Sequence, residues 1–76
     1  MKRAIVFEAP RTGYAIDQIA DRAMTVGELI NLLSDYDEDT LFVLSHDNGY
    51  TYGSISSGDF AEAREVDEDE WEIESY

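Results

Sequence analysis

Three groups of side chains have types and spacings that could do chemistry. The first is Asp35-Tyr36-Asp37-Glu38-Asp39, whose D-x-D-x-D spacing opens many calcium loops. The rest of such a loop is missing. Thr40 stands where the sharp turn needs glycine, and His46 stands where a bidentate glutamate closes the coordination shell. The run reads instead as a solvated connection after a helix, and no metal is assigned. The second group is His46, the sole histidine, beside Asp47, with Ser45 and Ser34 as candidate hydroxyls. It has no nucleophile elbow and sits next to a hairpin turn, so a hydrolytic triad is not expected. The phosphate-cradling patterns G-x-x-x-x-G-K-[ST] and G-x-G-x-x-G are absent. The chain is therefore read as non-enzymatic, with no catalytic residues and no cofactor.

The third group is acidic. Eight of the last fifteen residues are carboxylates: Glu62, Glu65, Asp67, Glu68, Asp69, Glu70, Glu72 and Glu74. On a strand–turn–strand they would project as two rows, repeating every ~6–7 Å along each strand. That interval is close to the phosphate repeat of a nucleic-acid backbone, so such rows can imitate DNA or RNA toward a basic groove. Tyr50 and Tyr52, with Asp47 at their rim, would add an anchoring patch, because tyrosine supplies large contact area at little entropic cost. These eleven side chains are the candidate partner-binding residues. The plainer readings are that the tyrosines cover a second layer of the fold and that the carboxylates only solvate the surface.

Charge narrows the partners. Eighteen acidic residues against five basic ones give a net charge of −13. Direct binding to nucleic acid or to an anionic membrane is not expected, since each phosphate contact needs a cation. The same field attracts basic proteins. Four of the five basic residues, Lys2, Arg3, Arg11 and Arg22, lie in the N-terminal third, which implies a bipolar charge distribution. Hydrophobic residues make up 43% of the 76, enough for residues 1–76 to fold as a single domain rather than stay disordered. The chain has no cysteine, which excludes disulfides and zinc–thiolate sites and fits a reducing compartment. No apolar run approaches the ~18 residues of a membrane span, and no apolar signal-type segment follows Lys2-Arg3. A cytoplasmic protein without a membrane partner is expected.

The elements that must position these groups are legible around residues 24–55. Thr25 and Glu28 form a capping box, with Met24 and Leu29 at the staple positions. Val26, Leu29, Ile30, Leu33 and Tyr36 then recur at helical spacing, which predicts a helix over about 25–36. Leu41–Ser45 and Tyr50–Ile55 flank Asp47-Asn48-Gly49, and Asn-Gly is the favoured pair for a two-residue type I′ turn. The predicted hairpin over 41–55 pairs Asp47 with Tyr50, His46 with Thr51, Ser45 with Tyr52 and Phe42 with Ile55. It sets Phe42, Leu44 and Ile55 on one face and Val43, Tyr50 and Tyr52 on the other. Lys2–Glu8 reads as a first strand. Tyr14–Ala20 reads as a second strand paired antiparallel to it, or as a helical turn over Asp17–Asp21. Phe60–Val66 is expected as a strand, Asp67–Glu70 as a tip, and the alternation of Trp71 and Ile73 with glutamates as a final half-buried strand.

The block TVGELINLLSDYDEDTLFVLSHDNGYTYGSI resembles a segment of small bacteriophage and prophage proteins. Those proteins share a TVGEL helix, an acidic YD-x-DT turn and an apolar strand. The resemblance covers rather under half of the chain. It implies a small phage or mobile-element product, and among such acidic products are anti-defence inhibitors, including anti-CRISPR and anti-restriction nucleic-acid mimics. The combined expectation is an α+β fold, one main helix packed on a small, mostly antiparallel sheet. Its function would be to bind a basic groove of a host nucleic-acid-handling protein in the bacterial cytoplasm. The alternative is a small structural or adaptor module that pairs with itself.

Overall fold

A computed structural model describes residues 2–75. The fold is α+β, with one α-helix and a mostly antiparallel set of strands among the described residues. The strands form two sheets rather than one, and the chain gathers into two units.

The first unit comprises residues 1–10 and 24–55. Its helix α1 spans Val26–Leu33. The capping box is complete: the Glu28 amide donates to Thr25 Oγ1 (3.1 Å) and the Thr25 amide donates to Glu28 Oε1 (2.9 Å). The helix ends earlier than its apolar spacing predicts, with Ser34 as C-cap and Tyr36 beyond it. Two local bonds end it. Ser34 Oγ donates to the Asn31 carbonyl (2.7 Å), and the Tyr36 amide reaches only three residues back, to Leu33 (3.1 Å). The carboxylates from Asp35 to Asp39 also oppose the negative end of the helix dipole. No residue of α1 is buried, and only Leu33 is half-buried.

The three-stranded sheet of this unit has the order β1–β2–β3, with β1 at Ala4–Glu8, β2 at Leu41–His46 and β3 at Thr51–Gly53. β1 does not pair antiparallel with Tyr14–Ala20. It runs parallel to β2, in the register Ala4–Leu41 through Glu8–Ser45. Parallel neighbours need a long crossover, and the stretch containing α1 supplies it. The register puts Ile5, Phe7, Phe42 and Leu44 on one face, where the Phe7 and Phe42 rings stack at 6.0 Å. Ala4, Val6, Leu41, Val43 and Ser45 occupy the other.

β3 answers β2 in the predicted register, Ser45 with Tyr52 and His46 with Thr51. It stops at Gly53, so the hairpin is shorter than 41–55 and Ile55 lies past the ladder. A glycine, with no side chain to pack, is a natural place for a strand to end. The ladder closes at His46 with Thr51, so the expected pair of Asp47 with Tyr50 falls inside a four-residue turn. There φ is 56° at Asn48 and 92° at Gly49, and the Tyr50 amide is shared between the carbonyls of His46 (3.0 Å) and Asp47 (3.3 Å), the second being the closing bond of a type I′ turn. Asp47 is also left-handed, at φ 53°. The loop is tied to β1 by one carboxylate. Glu8 accepts from the Ser45 hydroxyl (2.9 Å) and from the Asn48 amide (3.1 Å to either oxygen). Ser45 is the one buried residue among those described, so its hydroxyl needs that partner.

The second unit comprises residues 11–23 and 56–76. Residues Ile16–Gln18 form a 3-10 turn, the helical alternative to a strand here. The surrounding loop is pinned on itself: the Tyr14 amide donates to Gln18 Oε1 (2.7 Å), and the Arg22 guanidinium donates to the carbonyls of Gln18 (3.1 Å) and Thr12 (3.4 Å). A second 3-10 turn, Ser57–Asp59, is closed by the Ser56 amide donating to Asp59 Oδ2 (2.9 Å). The strands β4 (Ala61–Asp67) and β5 (Glu70–Ser75) then pair antiparallel, and β5 contacts the first 3-10 turn.

Candidate functional site

The acidic group of the sequence lies almost entirely on the β4–β5 hairpin. The register pairs Glu62 with Glu74, Ala63 with Ile73, Arg64 with Glu72, Glu65 with Trp71, and Asp67 with Glu70. Alternation along β5 therefore sets Glu70, Glu72 and Glu74 on one face and Trp71 and Ile73 on the other. Across the ladder, Glu62 and Arg64 share the glutamate face, while Ala63 and Glu65 share the tryptophan face. A register shift between Glu65 and Asp67 marks a bulge at Val66. Glu68 and Asp69 form the tip, with Asp69 left-handed at φ 61° and the Glu68 amide donating to Asp67 Oδ1 (2.8 Å).

This arrangement modifies the two-row expectation. One row is continuous, Glu70-Glu72-Glu74. The row on β4 is not: Arg64 interrupts it, and Glu65 points to the opposite face. Arg64 Nε meets Glu74 Oε1 at 2.6 Å, diagonally across the ladder. Both side chains are at least half exposed, so water and salt screen the pair and it contributes under about 1 kcal/mol. Glu62 and Glu74 are like charges directly opposite one another, which costs stability in a two-stranded sheet.

The remaining candidates belong to the first unit. Tyr50 is 83% exposed and lies in the turn rather than in a strand, and Tyr52 is 63% exposed. Tyr52 is partly committed to its own hairpin, because a Cβ at Gly49 would lie 3.0 Å from its hydroxyl oxygen. Asp47 is exposed beside them. The eight C-terminal carboxylates are thus brought together, and the tyrosine patch is carried separately.

Among the described residues no three of His, Asp or Glu are placed to hold a metal ion. No helix there is long and apolar enough to cross a membrane. One perturbed carboxyl stands out, and it is structural: the Glu28 pKa is lowered by the hydrogen bonds from the Thr25 amide and hydroxyl.

One feature had no clear signal in the sequence. An open groove of about 530 Å³ runs between the Gly13–Ile19 loop and β5, lined by Ile16, Asp17, Ile19, Asp69, Glu70, Trp71 and Ile73 among others. Its floor comes from the apolar face of the hairpin. The strand alternation of Trp71 and Ile73 announced that face, but not the loop that borders it. No family model, curated protein or solved structure matches the chain.

Proposed function

We propose that the protein is a non-enzymatic inhibitor, of the anti-defence type found among phage products, that occupies a basic groove of a host nucleic-acid-handling protein. The observation that carries this reading is the β4–β5 glutamate face. There Glu70, Glu72 and Glu74 repeat every second residue beside Glu62 and stand in for backbone phosphates. The net charge of −13 adds long-range attraction toward a basic surface. The test is capture from bacterial lysate on tagged protein, with elution along a salt gradient and competition by DNA or RNA. The expected result is one dominant basic nucleic-acid-binding protein, displaced by nucleic acid, with at least about tenfold weaker retention by E62Q/E72Q/E74Q. Retention unaffected by those three substitutions would remove the mimicry reading.

A second reading, an adaptor that pairs with itself, is favoured by one observation. Val26, Leu29 and Ile30 of α1 are 77%, 45% and 61% exposed, an apolar stripe on a helix. Sedimentation separates the two. A dimer whose mass persists in high salt supports the adaptor, whereas a monomer removes self-pairing and leaves the inhibitor to the capture experiment.

A further inference from the structure

We infer that the groove beside Trp71 is a receptor for an arginine side chain of the basic partner. The inference deepens the inhibitor reading and rests on it for the source of the cation. Three features of the second unit converge here. The groove has an apolar floor with a half-buried indole, Trp71, whose remaining surface is open to a flat ligand. Asp17, Asp69 and Glu70 line it, and no basic residue is among its described lining. Arg22 and Arg64 are engaged elsewhere, Arg22 on the Thr12 and Gln18 carbonyls and Arg64 on Glu74, and Arg11 is not among the lining residues. An apolar slot with acceptor carboxylates and an aromatic wall lacks only a planar cation. Guanidinium suits it better than ammonium, because it stacks on an indole, is weakly hydrated and donates in the plane to carboxylates.

The loop opposite β5 is held ready for such a ligand. Gly13 allows the chain to close on Ile19, since a Cβ there would lie 3.0 Å from Ile19 Cγ2. The Tyr14–Gln18 and Arg22 bonds then fix the loop without using any groove carboxylate. The site meets the glutamate row only at Glu70, at the start of β5: Glu72 and Glu74 are on the opposite face of the strand from Trp71 and do not line the groove.

Trp71 is the only tryptophan, so its fluorescence reports the groove directly. The experiment titrates the full chain with acetyl-Gly-Arg-Gly-amide and, in parallel, with its citrulline counterpart, which has the same shape and no charge. The expected result is a saturable fluorescence change with the arginine peptide and none with citrulline. The same titration should be about tenfold weaker in D17N/D69N and unchanged in E38Q/D39N, which removes the same charge from the connection after α1. Asparagine tolerates the left-handed backbone at 69, so the double variant keeps the turn. Equal responses to both peptides, no saturable response to arginine, or undiminished binding by D17N/D69N would each overturn the inference. Failure of the two proposals is distinguishable. Peptide binding without a captured partner leaves the groove standing and removes the inhibitor. A partner lost by E62Q/E72Q/E74Q, in a protein whose Trp71 ignores arginine, does the reverse.

Discussion

Thr25 and Glu28 exchange two hydrogen bonds at the start of α1, and both oxygens satisfy amides that the helix leaves orphaned. Thr25→Ala should lower stability by about 1 kcal/mol, measured as a drop in denaturant midpoint at constant m-value. The pH dependence follows from the lowered Glu28 pKa. The unfolded chain binds the proton more readily in that window, so the contribution is present above the ordinary glutamate value. It is lost as pH falls through the depressed one. The protection factor of the Thr25 amide against exchange should therefore fall only below the ordinary carboxylate range, while the Glu28 carboxyl titrates below the ordinary glutamate value in NMR. Gly49 is a second single-residue determinant. Its φ of 92° and the nearby Tyr52 hydroxyl both oppose a Cβ. Gly49→Ala should cost about 1–2 kcal/mol by thermal or denaturant unfolding. Asn48, left-handed at 56°, is a residue type that tolerates that region.

The elements differ in how far the sequence announces them, and the difference is one of locality. The capping box and the Asn48-Gly49 turn complete their bonds within three or four residues, so spacing alone identifies them. The register of His46 with Thr51 follows from that turn. The pairing of β1 does not. Val6 meets Val43, 37 positions further along the chain, and nothing near Glu8 distinguishes a parallel neighbour from the nearer segment at Tyr14–Ala20. The division into two sheets has the same character. Ser54–Phe60 carries polar turn residues that fit either a meander or a departure to a new hairpin. At the candidate site, the carboxylates and the Trp71 alternation were legible, but the bulge at Val66 and the position of Arg64 opposite Glu72 required the register. Arg64 tests the energetics of this element. Arg64→Gln should destabilise the β4–β5 hairpin by under about 1 kcal/mol at low salt, and the effect should vanish near 1 M salt. A larger, salt-insensitive loss would mean that its aliphatic stem, and not its charge, supports the hairpin.

At the scale of the whole chain, charge works against the fold and in favour of its proposed use. Residues 56–76 hold nine carboxylates and one arginine, so the unit carrying the candidate interface also holds the densest repulsion. Salt acts on it in two opposing ways. It weakens the Arg64–Glu74 attraction, and it screens the many repulsions among carboxylates, Glu62 against Glu74 included. The repulsions outnumber the ion pair, and exposed pairs of either sign are individually worth only tenths of a kcal/mol, so the balance favours screening. Shortening the Debye length from about 30 Å to about 8 Å, between 0.01 M and 0.15 M salt, should therefore raise the transition reported by Trp71 fluorescence. A gain of about 1 kcal/mol would appear as roughly 4–8 °C in a domain of this size. A basic groove would supply the same relief with higher local charge density, so binding should stabilise this unit more than salt does. Melting that fell with added salt would show instead that the hairpin depends on its ion pair, and that its acidity is not held in reserve for a cationic partner.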